Sequence, residues 1–232
     1  MRLLLISNSG KPFLEHCMGP IAAFLGGARR VAFVTAANLH DESAYYDRAR
    51  AALGATPPAG CGADVLHLRW DVDPLAILEG AEALFGGGGN TYALLKRLRE
   101  AGLLDPIRAR VRAGLPYLGS SAGSNVAGLN ILTTNDWNVV GLTAFDALGL
   151  VPFSINPHYL ETDPAMAPGS ETRDERIREY HAVQGDPVVG IEEGTLLRVE
   201  DSVVTVLGRG RVKVFARGRE PRWYGAGERV AV

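Results

Sequence analysis

The amino-acid sequence predicts an α/β fold: a three-layer, open, mostly parallel sheet with helices on both faces, extended by C-terminal antiparallel strands. Three observations carry that expectation. Short segments apolar at nearly every position recur along the first half of the chain, and segments with three- and four-residue apolar spacing lie between them. After about residue 185 the spacing tightens to that of hairpins.

The first apolar run, residues 3–7, reads as a strand buried on both faces; 30–35, 64–69, 81–85 and 116–119 repeat the type. Between them, residues 12–25, 42–53, 74–79 and 91–101 carry the helical period. Strand and helix in alternation imply βαβ units with right-handed crossovers. The segment 55–62, rich in Pro and Gly, is long enough only for a loop. Residues 187–191, 195–199, 202–207 and 211–216 are separated by Glu-Glu-Gly, Glu-Asp and Gly-Arg-Gly, the punctuation of antiparallel turns. No repeat or linker interrupts the series, so residues 1–232 are expected to form a single domain.

Composition narrows the function. At 232 residues the chain can enclose a three-layer core. Its 24 Lys+Arg against 26 Asp+Glu give a net charge of −2, which offers no electrostatic footprint for nucleic acid or an anionic membrane. No apolar run approaches the ~18 residues of a membrane span, and the apolar start is too short for a secretory signal. A cytoplasmic location is expected. Cys17 and Cys61 allow at most one disulfide.

Three strands end in loops of unusual composition: Ser7-Asn8-Ser9-Gly10, Gly86-Gly87-Gly88-Gly89-Asn90-Thr91 and Gly119-Ser120-Ser121-Ala122-Gly123. Ligands in open parallel sheets bind outside the carboxyl ends of the strands, so the three loops should face one crevice. Gly119–Gly123 fits Gly-x-Ser-x-Gly between an apolar strand and a helix start, the context of a nucleophile elbow, with Ser121 as nucleophile. The amide of Ala122 would then point at a developing oxyanion. The Gly86–Asn90 loop lacks the Gly-Lys-Ser/Thr ending of a phosphate loop. It is expected to bring a second amide, that of Gly89, to the oxyanion, with Asn90 positioning substrate or capping the next helix.

Of five histidines, His16, His40, His67 and His181 read as structural or solvated. His158 follows an apolar run and the stiffening Pro157, which suits a general base. Asp136, Asp146, Glu192 and Glu193 are candidates for the carboxylate that orients it. No metal or other cofactor is expected, since no His-Glu-x-x-His or similar ligand spacing occurs.

The ordered stretches Leu-Leu-Leu-Ile-Ser-Asn-Ser (3–9), Gly-Gly-Gly-Asn-Thr (87–91), Ser-Ala-Gly-Ser-Asn (121–125), Thr-Thr-Asn-Asp (133–136) and Phe-Asp-Ala-Leu (145–148) run through the first part of the chain. Ile-Asn-Pro-His (155–158), Glu-Thr-Arg-Asp-Glu-Arg-Ile-Arg-Glu (171–179) and Gly-Ile-Glu-Glu-Gly (190–194) follow. Together they resemble the peptidase E (aspartyl dipeptidase) family, with its class I glutamine amidotransferase-like fold. The resemblance implies a Ser–His–Glu triad of Ser121, His158 and Glu193. It also implies that Arg173 reads the side chain of an N-terminal aspartate in a small peptide substrate, and that the chain forms a homodimer. A related carboxypeptidase or cyanophycinase-like hydrolase is the alternative. The sequence departs from the family's pattern at Ser120, where a bulky aromatic is expected, and at Glu192, where a proline is expected.

Overall fold

The computed structural model describes residues 1–161 and 169–232. The chain alternates strand and helix as far as residue 125: β1 (Arg2–Ile6), α1 (Met18–Leu25), β2 (Arg30–Val34), α2 (Glu42–Gly54), β3 (Asp64–Leu68), α3 (Pro74–Gly80) and β4 (Ala83–Gly86). There follow α4 (Thr91–Glu100), α5 (Leu104–Arg112), β5 (Tyr117–Ser120) and the single-turn α6 (Ala122–Asn125). The second part contains β6 (Ser154–Pro157), α7 (Arg173–Val183), β7 (Val188–Ile191), β8 (Thr195–Glu200), β9 (Val203–Gly208), β10 (Val212–Phe215), β11 (Arg222–Tyr224) and β12 (Arg229–Val230).

The main sheet has eight strands in the order β12-β9-β8-β1-β5-β4-β2-β3. Strands β1 to β5 pair in parallel, and β8, β9 and β12 extend the β1 edge antiparallel. Alternation along β1 explains its unbroken apolar run. Leu3 and Leu5 enter one core with α4, α5 and the second sheet, while Leu4 and Ile6 enter the opposite core with α1, α2 and Phe33. Asp41, Asp73 and Asn90 cap α2, α3 and α4 by accepting backbone amides in the first turn, which explains where these helices begin.

Two features depart from the expected elements. The helical segment 12–25 is helical only from Met18, after a 3-10 turn at Glu15–Cys17, because buried Leu14 has φ 61°, which a right-handed helix cannot include. The C-terminal strands divide between two sheets instead of all extending one. β7, β10 and β11 join β6 in a four-stranded sheet of order β11-β10-β7-β6, with β6 and β7 parallel. Cys17 and Cys61 are both free thiols. Among the described residues no helix is long and apolar enough to cross a membrane.

Candidate active site

Strand β5 delivers Ser121 on a sharp turn. The residue has φ 52° and ψ −110°, a conformation a non-glycine residue adopts only when its surroundings impose it. Those surroundings are visible. The Ser121 amide donates to the Ile6 carbonyl at 3.0 Å. The Ser124 hydroxyl lies 2.8 Å from the carbonyls of both Ile6 and Gly119, and Tyr117 donates to the Gly123 carbonyl at 2.6 Å. Gly123 is required by contact: a Cβ there would stand 1.9 Å from the Gly86 carbonyl oxygen, backbone against backbone.

His158 comes from the end of β6, in the other sheet, and also has a positive φ, 53°. Its Nε2 lies 2.9 Å from Ser121 Oγ, and its Nδ1 lies 2.9 Å from Glu193 Oε1. A carboxylate can only accept, so Nδ1 carries the proton toward Glu193, and in a neutral ring Nε2 then presents a lone pair to the serine hydroxyl. The histidine amide donates to Ser7 Oγ at 2.9 Å, and that hydroxyl donates to the Ile191 carbonyl at 2.8 Å. Ser7 sits just past β1 and Ile191 ends β7, so one buried hydroxyl ties the two sheets together beneath the histidine. Glu193 is well exposed, at 65% of its side chain, against 38% for His158.

Ser121, His158, Gly88, Gly89, Asn90 and Ser9 share a cavity of about 690 Å³, so the three Gly- and Ser-rich loops do converge. Within the second loop the Gly87 amide donates to Val34, the Gly88 amide to Tyr45 Oη at 2.7 Å, and the Asn90 amide to Ala37. The Gly89 amide has no acceptor among the described residues, nor does that of Ala122, which begins α6. Gly89 has φ 131°, and a Cβ there would meet the Ala37 carbonyl oxygen at 2.2 Å. Asn90 lines the cavity with its side chain engaged: Oδ1 caps α4 and Nδ2 donates to the Trp137 carbonyl.

The remaining candidates separate clearly. Asp136 reaches the cavity, but its Oδ2 accepts from the Thr91 amide and the Thr134 hydroxyl. Asp146 pairs through its backbone with Asn130. Glu192 is bound to Arg211 by its amide, Nε and Nη2, which leaves Glu193 as the carboxylate on His158. Ser120 is fully buried with its hydroxyl 2.8 Å from that of Ser9, a contact an aromatic residue there could not make. Of the other histidines, His40 also lines the cavity. His67 lies between the Thr35 hydroxyl and the Tyr46 ring, and His181 Nε2 sits 3.1 Å from the Asp186 carbonyl.

Arg173 lies in a second cavity of about 500 Å³, with Thr133, Thr134 and Asn156, rather than in the one that holds Ser121. It makes no ion pair among the described residues, and burial together with the Arg176 charge pulls its pKa below the ordinary arginine value. Beside it Asp174 is held by the hydroxyl of Tyr159 and by Lys213, whose amine also contacts Glu161. Lys213 is 6% exposed and lies over the Trp223 and Phe215 rings. Burial and the Asp174 contact together push the Tyr159 hydroxyl far above its usual pKa. The sequence places Ser7 in a crevice loop without a role of its own and gives no sign of Tyr45 or Lys213, because a helix tyrosine and a strand lysine carry no motif.

The profile of Peptidase family S51 matches residues 3–207. Peptidase E of Streptomyces coelicolor is 44% identical over 225 residues, covering 96% of this chain and 90% of that protein. A Drosophila melanogaster protein named "Probable alpha-aspartyl dipeptidase" is 45% identical over 219 residues, covering 92% of this chain and 89% of its own length. The crystal structure of a peptidase from an acI-B1 actinobacterium superposes with a TM-score of 0.71, covering 100% of this chain and 96% of that one at 17% identity, a likeness of fold.

Proposed function

The chain belongs to peptidase family S51, and we propose that it is a serine exopeptidase of small peptides, foremost dipeptides with an N-terminal aspartate. What supports the reading most is the contact chain of Ser121 Oγ, His158 and Glu193, with both hydrogen-bonding distances at 2.9 Å. In this reading Ser121 attacks the peptide carbonyl while His158 Nε2 takes its proton, and Glu193 stabilises the imidazolium that forms. The Gly89 and Ala122 amides receive the oxyanion; losing one such donor costs roughly 3–4 kcal/mol of barrier. His158 then protonates the leaving amine, and water attacks the acyl-enzyme by the same route. The aspartyl preference is supported by the name of the Drosophila relative and by the guanidinium of Arg173, which makes no ion pair among the described residues, since a guanidinium can hold a carboxylate bidentately. Action as one domain, as a homodimer and in the cytoplasm belongs to the same proposal.

The test is the kinetics of wild type and Arg173→Ala on Asp-Leu, Ala-Leu and N-blocked peptides. Wild type should cleave Asp-Leu, and the variant should lose activity on aspartyl substrates alone. Cleavage of blocked peptides with Asp-Leu untouched would instead favour the carboxypeptidase or cyanophycinase-like alternative.

A further inference from the structure

The wall of the Ser121 cavity carries two charged side chains of opposite sign, Asp136 and Arg48. Each has its own set of neighbours. Asp136 adjoins the Arg173 side, because Thr134, which lines the Arg173 cavity, donates to its Oδ2 at 3.0 Å. Arg48 lies beyond the oxyanion loop. Its guanidinium carbon is 5.5 Å from the centroid of the Tyr45 ring, and the Tyr45 hydroxyl accepts the Gly88 amide at 2.7 Å. Gly88 in turn abuts the serine: a Cβ there would be 3.8 Å from Ser121 Oγ. Ser121, Asp136 and Arg48 thus line one cavity, with Thr134 joining Asp136 to the lining of the Arg173 cavity and with Gly88 and Tyr45 between Ser121 and Arg48.

Arg48 projects from the exposed face of α2. Among the described residues it has no carboxylate partner, whereas its neighbour Arg50 pairs with Asp47 at 3.7 Å. The Tyr45 ring supports the guanidinium by cation–π attraction, and the donor edge stays available to a ligand. In a dipeptide whose aspartate is held by Arg173, as the proposed function has it, the second residue lies across the scissile bond, in the Ser121 cavity that Arg48 lines. The carboxylate of that residue follows the scissile nitrogen within about 4 Å, one residue step.

We infer that Arg48 binds the free α-carboxylate of the leaving residue and so forms the subsite that limits the enzyme to dipeptides. A third residue would replace that carboxylate with a neutral amide and forfeit the ion pair. The inference rests on the dipeptidase reading and adds the recognition of the departing half.

The experiment compares Asp-Leu with Asp-Leu-amide on wild type, Arg48→Gln and Arg48→Lys. Arg48→Gln should raise KM for Asp-Leu roughly 10- to 100-fold, the worth of a charge-assisted hydrogen bond, with kcat little changed. Its KM for the amide should match that of wild type, and Arg48→Lys should recover part of the loss on the free acid. A KM increase shared equally by acid and amide, or no increase on Asp-Leu, would overturn the assignment. Failure of wild type itself to cleave Asp-Leu would overturn the dipeptidase reading, and the subsite with it, and that outcome is read before any variant is made.

Discussion

Replacing Glu193 with Gln removes a charge while preserving a hydrogen-bond acceptor, because an exposed side-chain amide can turn its oxygen toward His158 Nδ1. The tautomer that leaves Nε2 free for Ser121 is then kept. What is lost, in the proposed mechanism, is the attraction between a carboxylate and the imidazolium that forms only as the serine is deprotonated. At the 2.9 Å separation of Glu193 Oε1 and His158 Nδ1, that attraction is about 1.4 kcal/mol at the permittivity of water and about twice that at half the permittivity. With 65% of the Glu193 side chain exposed, this solvated range is the appropriate one. The expected result is a 10- to 100-fold fall in kcat, roughly, with KM on Asp-Leu little changed and a loss that deepens at low ionic strength. Steady-state kinetics at two salt concentrations measure it. A loss as deep as that of Ser121→Ala would refute the reasoning, since it would require a carboxylate shielded from water. So would an unchanged kcat, which would remove Glu193 from the machinery.

Two further outcomes follow from packing. Gly123→Ala should abolish activity and lower stability by about 3 kcal/mol or more, because the added Cβ would lie 1.9 Å from the Gly86 carbonyl with no flexible atom to yield; urea denaturation and residual kcat check both. Lys213→Met should destabilise by about 2–3 kcal/mol, below the usual cost of breaking a buried pair because Glu161 is 52% exposed and can rehydrate. The same variant should raise KM for aspartyl substrates more than it lowers kcat, since Asp174 adjoins Arg173; denaturation and dipeptide kinetics on one preparation separate the two effects.

The parallel half of the main sheet is legible in the sequence because burial on both faces leaves an unbroken apolar run such as Leu3–Ile6. The second sheet is not. Residues 188–191 and 212–215 are as apolar as 195–200, and an apolar pattern reports burial without naming the partner strand. At the site, the elbow could be read from Gly119–Gly123 and the histidine singled out through Pro157. The left-handed backbone of His158 could not, since it arises from Ser7 and the distant β7. Arg48 and Tyr45 sit in a helix whose polar face looks merely solvated in one dimension. Arg173 was found through family resemblance alone, and its place in the neighbouring cavity is information only the fold supplies.

The division of the proposed triad between two sheets has a consequence for the chain as it is made. The serine's elbow is complete once α6 has formed, yet the histidine and glutamate belong to β6 and the turn after β7, and Ser7 holds them in register only when both sheets are present. In the proposed mechanism Ser121 therefore has no base until β6 and the turn after β7 are in place. Under the proposed mechanism the architecture is an interlock, in which the step that completes the fold also completes the catalytic contacts.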